Sequence, residues 1–434
     1  MGNDNQNNKD LIRAAVCDLN GVWRGKLLPA GQLEKVLGGG LRMPFSTPAI
    51  DVFGADVAES PLVFASGDAD GVCLPTAHGA MHEPWQRGEA RFIPVVMQGE
   101  DGMPSPIDPR QILAAVAAKL KALGLTPVMA VEMEFYLLRG EAGHPLPPQA
   151  APQMLALDNL ADYDSFFAEV YAACANFGIP ADAAISEGGA GQFEINLLHG
   201  PDPLVAADNA VFFKRIVKGV AQKHGLVASF MPKPYLDAAG SGLHVHFSLL
   251  DGAGRNVFDD GSAAGSEMLH HALAGLLRLM PASTLIFAPH LNSYRRLAPN
   301  SHAPTGIGWG YENRTSAIRI PGGDPKARRI EHRVAGADAN PYLLLAALLA
   351  GVLEGLERQE KPAAPTKGNA YQAGLMQLPG DWMAAIAAFE ADKTLAKHLN
   401  PQFVDIFAAM KRQEFNRFAA RMSDFELATY LRSV

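Results

Sequence analysis

Glutamate, histidine and arginine recur at alternate positions in five short stretches of this 434-residue chain. Residues 128–136 set Glu132 and Glu134 against Met129, Val131, Met133 and Phe135. Residues 243–249 set His244, His246 and Ser248 against Leu243, Val245, Phe247 and Leu249. In 192–196 Glu194 opposes Phe193 and Ile195, in 317–320 Arg319 opposes Ile318 and Ile320, and 329–334 aligns Arg329, Glu331 and Arg333. A period of two puts each set on one side of a strand. The plain alternative for any one strand is the solvated face of an antiparallel sheet. Such faces mix Lys, Thr, Ser and Gln, whereas these carry Glu, His and Arg and no Lys. Crowded carboxylates repel one another and shift toward protonation unless cations compensate them. Together the five stretches point to one cavity that holds divalent cations, with an anionic ligand on the neighbouring arginines.

Mostly oxygen ligands with an imidazole favour Mg²⁺ or Mn²⁺ over zinc. The chain has neither a Gly-x-x-x-x-Gly-Lys-Ser/Thr loop nor a dinucleotide-type Gly-x-Gly-x-x-Gly between a strand and a helix. Metals and arginines would therefore have to hold the phosphates of any nucleotide, an arrangement suited to phosphoryl transfer.

Helical periodicity alternates with these strands. Residues 163–177, 207–224, 266–280 and 340–359 read as helices, and Asp108-Pro109 caps another that carries Ile112, Leu113, Val116 and Leu120 and stops at Gly124. Upstream, residues 11–98 hold strand-like runs at 12–19 and 92–96 among many Gly and Pro. The Gly-, Pro- and Asp-rich stretch 100–109 marks a boundary. The expectation is an α+β chain with a flexible polar tail over 1–10, a small mainly β domain over 11–103 and a larger domain over 104–434. Turn-rich loops are expected at 140–152 and 252–265.

Composition narrows the partners. With 48% hydrophobic and 19% charged residues the chain is ordinary globular protein. A net charge of -8 without a basic run argues against nucleic acid. Cys17, Cys73 and Cys174 are odd in number and far apart, so no disulfide framework is suggested and a reducing compartment fits. The apolar run 342–353 is well short of the ~20 residues of a membrane helix. With no secretory signal visible at the N-terminus, the expected location is cytoplasmic, away from membranes. Cys174 and the His270-His271 pair read as packing or surface residues, and His332 falls on the apolar side of its strand.

Six motifs, in order, resemble the glutamine synthetase superfamily: residues 131–135, 191–194, 240–249, 292–296, 313–321 and 326–342. The resemblance implies a β-grasp-like N-terminal domain and a catalytic domain whose curved antiparallel sheet lines the active site. It implies two or more divalent metals, one on Glu134, Glu187 and Glu194 and a second on Glu132, His244 and Glu331. ATP is implied on His246, Ser248, Arg314, Arg319 and Arg329, with Arg314 also catalytic, and glutamate on Arg296, Arg333 and the backbone around Gly240. A ring of six subunits, single or stacked in two, is implied as well.

Two departures bear on the nucleophile. Ammonia-using members carry a loop glutamate where this chain has His302 in Pro299-Asn300-Ser301-His302-Ala303-Pro304, and a small-domain Asp where residues 45–51 read Phe-Ser-Thr-Pro-Ala-Ile-Asp. An ammonium ion would lose both anionic partners, while an organic amine would gain room. His302 is accordingly a candidate for removing a proton from the amine, since free imidazole titrates near ~6.5. The expected activity is ATP-dependent ligation of the glutamate γ-carboxylate to a mono- or polyamine through γ-glutamyl phosphate. Ammonia-dependent glutamine synthesis, a silent scaffold of the same fold and a guanidino kinase stay open at this stage. Acidic residues around Asp51 and Asp56 could meet a distal ammonium or be solvated turn residues.

Overall fold

The computed structural model describes residues 11–86, 88–139 and 154–434; the tail expected over 1–10 and the loop expected over 140–152 lie outside them. The first sheet contains β1 (Leu11–Cys17), β2 (Trp23–Pro29), β3 (Leu41–Pro44), β4 (Asp70–Pro75), β5 (Met81–His82) and β6 (Arg91–Gln98). Its order is β2-β1-β6-β4-β3 with β5 on β6, and β1 runs parallel to β6. Asp108 then caps the helix Pro109–Ala122, accepting from Arg110 N at 3.0 Å, and also accepts from Met97 N at 2.9 Å, which ties the helix start to the end of β6.

The second sheet contains β7 (Thr126–Leu138), β8 (Ala181–Ser186), β9 (Gln192–Leu197), β10 (Val227–Ser229), β11 (Leu243–Leu250), β12 (Trp309–Tyr311), β13 (Ile318–Ile320) and β14 (Ile330–His332). Its order is β12-β13-β14-β11-β7-β9-β8, with β10 beside β7. The antiparallel expectation holds except at β12 and β13, which run parallel.

The apolar face of β7 (Met129, Val131, Met133 and Phe135) is buried, with Phe135 against Phe213 of the helix Pro203–Lys223 at 6.2 Å between ring centroids. Behind this layer the helices Glu267–Phe287 and Pro341–Arg358 cross closely, because a side chain at Gly275 would collide with the backbone of Gly351 and Gly355. The first of these was expected to stop at Met280, before Pro281, but continues to Phe287. An interior proline costs ~3 kcal/mol, while burying Leu285, Ile286 and Phe287 contributes ~1.5–3 kcal/mol each and outweighs it.

The C-terminal helices Trp382–Ala391, Lys393–Leu399 and Pro401–Ala419 join the two sheets' surroundings. Lys411 and Glu414, both fully buried, pair at 2.9 Å, and Glu414 accepts from Asn20, which follows β1, at 3.0 Å. Asp51 does not meet solvent as a turn residue would. Its carboxylate is buried and accepts from Phe53 N, Ala55 N and Gln413, with Arg417 at 3.3 Å.

Candidate active site

Strand register arranges the polar faces in rows across the second sheet. Arg319 on β13 opposes Glu331 on β14, which opposes His246 on β11, which opposes Ala130 on β7. In the next row His244 on β11 opposes Glu132 on β7, and Glu132 opposes Asn196 on β9. Glu134 opposes Glu194 in the third. The alternation visible in each strand thus becomes one continuous polar surface, because paired residues lie ~5 Å apart.

Glu132 is the hub. His246 Nε2 lies 2.9 Å from one of its oxygens and His244 Nδ1 lies 3.4 Å from the other. Burial works against the charged form, but the two imidazoles together hold the Glu132 carboxyl well below the usual carboxylate range. Arg329 Nε donates to His246 Nδ1 at 3.2 Å, which turns the ring's Nε2 toward Glu132. Glu331, almost fully buried, is held by Arg319 Nη1 at 2.7 Å on one oxygen and by Arg333 Nη1 on the other.

Two groups of side chains on this surface could hold a cation. Atoms of Glu132, His246 and Glu331 come within 4.8 Å of one another, as do those of Glu132, Glu194 and His244. Glu132 is common to both groups, and β11 and β14 pair His246, expected on ATP, with Glu331. Burial first, then the neighbouring carboxylates, pushes the Glu194 carboxyl up to about 9; burial and then Glu134 push Glu187 up to about 7. Such shifts mark an acid cluster that fits divalent cations, whose charge would reverse them.

Carboxyls raised above their unfolded values contribute stability that is present below the unfolded pKa and is lost as pH rises through about 7 and then about 9. The metal-free protein should therefore lose thermal stability between pH 6 and pH 9, and saturating Mn²⁺ should raise Tm more at pH 9 than at pH 6. An equal Tm gain at both pH values, in scans with EDTA or Mn²⁺, would remove Glu194 and Glu187 from the cation site.

Two cavities meet at this hub. One of about 620 Å³ is lined by Glu132, Glu134, Glu187, Glu194, His244, Gly240, Arg296, Arg314, Arg333 and His302, with Asn196. The other, about 720 Å³, is lined by Glu132, Asn196, His246, Ser248 and Arg329, with Ala130, Leu198, His199 and Pro201. Glu132 and Asn196 belong to both walls. Arg319 and Glu331 line neither, being engaged with each other, with Glu312 and with Arg333.

Arg296 is buried and donates from Nη1 to Val334 O at 2.7 Å, whereas Arg295 is exposed. Space for the Arg296 guanidinium depends on Gly242, where a Cβ would lie 2.8 Å from its Nη2 and 2.9 Å from His244 Nε2. Ser301 Oγ donates to Arg296 O at 2.9 Å, tying the His302 loop to the helical turn that bears Arg296. His302 itself is exposed on the cavity wall with φ +61. His332 is fully buried against Phe287, 4.4 Å between ring centroids, as its place on the apolar side implies; burial pushes it down to about 3.

Gln192 and Asn196 were not singled out from the sequence, although both share the alternation of Glu194. Gln192 accepts from Gly189 N at 2.9 Å, which aims its Nε2 at Glu134 and at Gly240 O, each 3.1 Å away.

A family model described as the catalytic domain of glutamine synthetase matches residues 106–430. Over 441 residues the chain is 37% identical to gamma-glutamylputrescine synthetase PuuA of Escherichia coli (strain K12), spanning 98% of this chain and 92% of that protein. It is 34% identical over 446 residues to glutamate–isopropylamine ligase of Pseudomonas sp, spanning 98% and 96%. A solved structure described as apo GmaS without ligand matches with a TM-score of 0.85 at 32% identity, covering 97% of this chain and 96% of that one.

Proposed function

The chain belongs to the glutamine synthetase family, and from that premise we infer how its two joined cavities divide the work of an ATP-dependent glutamate–amine ligase. The observation that carries the reading is the junction at Glu132, where a cavity large enough for a nucleotide opens into one walled by carboxylates and arginines. His246, Ser248 and Arg329 would face ATP on one side; Arg296 and Arg333 would grip glutamate on the other, with the Gly240 backbone beside it.

A γ-carboxylate oxygen of glutamate attacks the γ-phosphorus of ATP, forming γ-glutamyl phosphate and releasing ADP. The amine nitrogen then attacks the acyl carbon, phosphate leaves with the electron pair of the C–O bond, and the amine's extra proton passes to His302 or solvent. Arg314 faces the cavity where negative charge gathers in both steps. Glu132, Glu194, Glu331, His244 and His246 would hold Mg²⁺ or Mn²⁺, which when bound would offset the negative charge of the phosphates. Glutamate carrying ¹⁸O in its γ-carboxylate should pass one labelled oxygen to the released phosphate. Unlabelled phosphate would exclude the acyl phosphate.

His302 is proposed to set the nucleophile. A carboxylate in its place would give a small ammonium a charged partner worth about 1.5–3 kcal/mol, so His302→Glu should raise kcat/KM for ammonia relative to organic amines roughly tenfold or more. An unchanged ratio would show that this loop does not select the nucleophile.

We assign residues 11–103 and 104–434 to separate domains and place the protein in the cytoplasm; among the described residues no helix is long and apolar enough to cross a membrane. The exposed Met422, Phe425 and Leu431 near the C-terminus support a homo-oligomer, proposed as a ring of six, single or stacked. Light scattering of the purified protein would give the mass of the assembly, and a monomer would contradict it.

A further inference from the structure

Asn196 occupies a place at the junction that no role above explains. It pairs with Glu132 across β7 and β9, in the row that continues to His244, and follows Glu194 by two residues on the same face of β9. It lines both cavities. Its side-chain oxygen is buried and has no hydrogen-bond partner among the described residues. A buried amide oxygen without a donor costs free energy, and the residue paired with it across the strands is Glu132, held ionised by its two imidazoles and therefore unable to donate.

An amide oxygen is a hard, neutral donor of the kind that completes oxygen-rich cation sites. The Glu132, Glu194 and His244 group offers three ligand atoms within 4.8 Å of one another. A hard divalent cation takes more than three ligands, and Asn196 lies on the same face, opposite Glu132 and two residues beyond Glu194. We propose that Asn196 supplies a further, neutral ligand to the divalent cation of this group. The inference rests on the proposed cation sites and adds to them a ligand shared by the walls of both cavities. Because the ligand carries no charge, it steadies the cation without adding to the repulsion among the four glutamates.

The test is Mn²⁺ binding by the full chain without substrates, measured as loss of the free Mn²⁺ paramagnetic resonance signal. Asn196→Leu, close in volume but without the oxygen, should weaken one class of site about tenfold or more. Asn196→Asp, nearly isosteric, should tighten it several-fold and make the metal-free protein less heat-stable, with Mn²⁺ restoring more Tm than in the parent. Mn²⁺ binding by both variants that matches the parent would overturn the proposal. So would an unaltered Mn²⁺ affinity accompanied only by a higher KM for ATP, which would make Asn196 a nucleotide contact. If Asn196→Leu does not fold, the Asp variant decides alone. Failure of the underlying reading has a different signature: the parent itself would not bind Mn²⁺ saturably, or Glu194→Ala would bind it undiminished.

Discussion

Replacing Glu132 with alanine should lower ligase turnover by at least about a thousandfold while leaving the fold intact. The expectation comes from position. Glu132 belongs to both cation groups and to the walls of both cavities, and both imidazoles on β11 reach its oxygens. Removing one preorganised charge-stabilising group from an active site commonly costs on the order of 10²–10³ in rate, and here one substitution would strip a ligand from both proposed cation groups. The glutamine variant keeps the shape and the possibility of hydrogen bonding, so its circular dichroism and Tm should stay near those of the parent while its turnover falls almost as far. Turnover within tenfold of the parent in either variant, at saturating Mn²⁺, would take Glu132 out of the chemistry.

Glu331→Ala should cost both activity and stability, and the two losses can be separated. Glu331 has side-chain exposure of 1% and is the shared counter-ion of Arg319 and Arg333, at 11% and 7%. Breaking a buried pair leaves an uncompensated charge, which typically costs about 3–5 kcal/mol. Urea unfolding should show a loss in that range. Replacing the partner as well, in Glu331→Leu with Arg319→Met, removes one of the two stranded guanidiniums and should recover part of the stability without restoring γ-glutamyl phosphate formation. Recovery of activity along with stability would mean that Glu331 acts only as a strut for the arginines and holds no cation.

The site was legible one strand at a time and not across strands. Pleating imposes a period of two whatever the tertiary context, so Glu132 and Glu134, His244 and His246, and Glu331 and Arg333 declared their shared faces directly. Register depends on which distant segments pair. The approach of His246 to Glu331 and of Asn196 to Glu132 joins residues 85 and 64 positions apart, as their numbers show, and no local pattern carries that information. The nearness of His246 to Glu331 and of Asn196 to Glu132 was for this reason not legible, since an amide beside glutamates reads as filler until its partner is known.

Elsewhere local rules met tertiary packing. Pro281 signals a helix end, yet the apolar residues after it are buried deeply enough to carry the helix through. Asp51 offered two surface readings, but its loop closes around it and the helix Pro401–Ala419 supplies Gln413 and Arg417 from more than 360 residues away. That helix and its two neighbours were not read from the sequence at all; Asn20 has its partners Lys411 and Glu414 there. His332 was the reverse case, since strand alternation alone put it on the core side, where Phe287 covers it.

This ligase transfers the γ-glutamyl group to an organic amine. Phosphate release from ATP, with glutamate and Mg²⁺ or Mn²⁺, measured for ammonia beside a panel of mono-, di- and polyamines, tests it most directly. The expected result is turnover with at least one organic amine at a kcat/KM well above that for ammonia, and a γ-glutamyl amide of the matching mass as product. Saturation by ammonia with little response to any amine would contradict the claim and return the chain to glutamine synthesis.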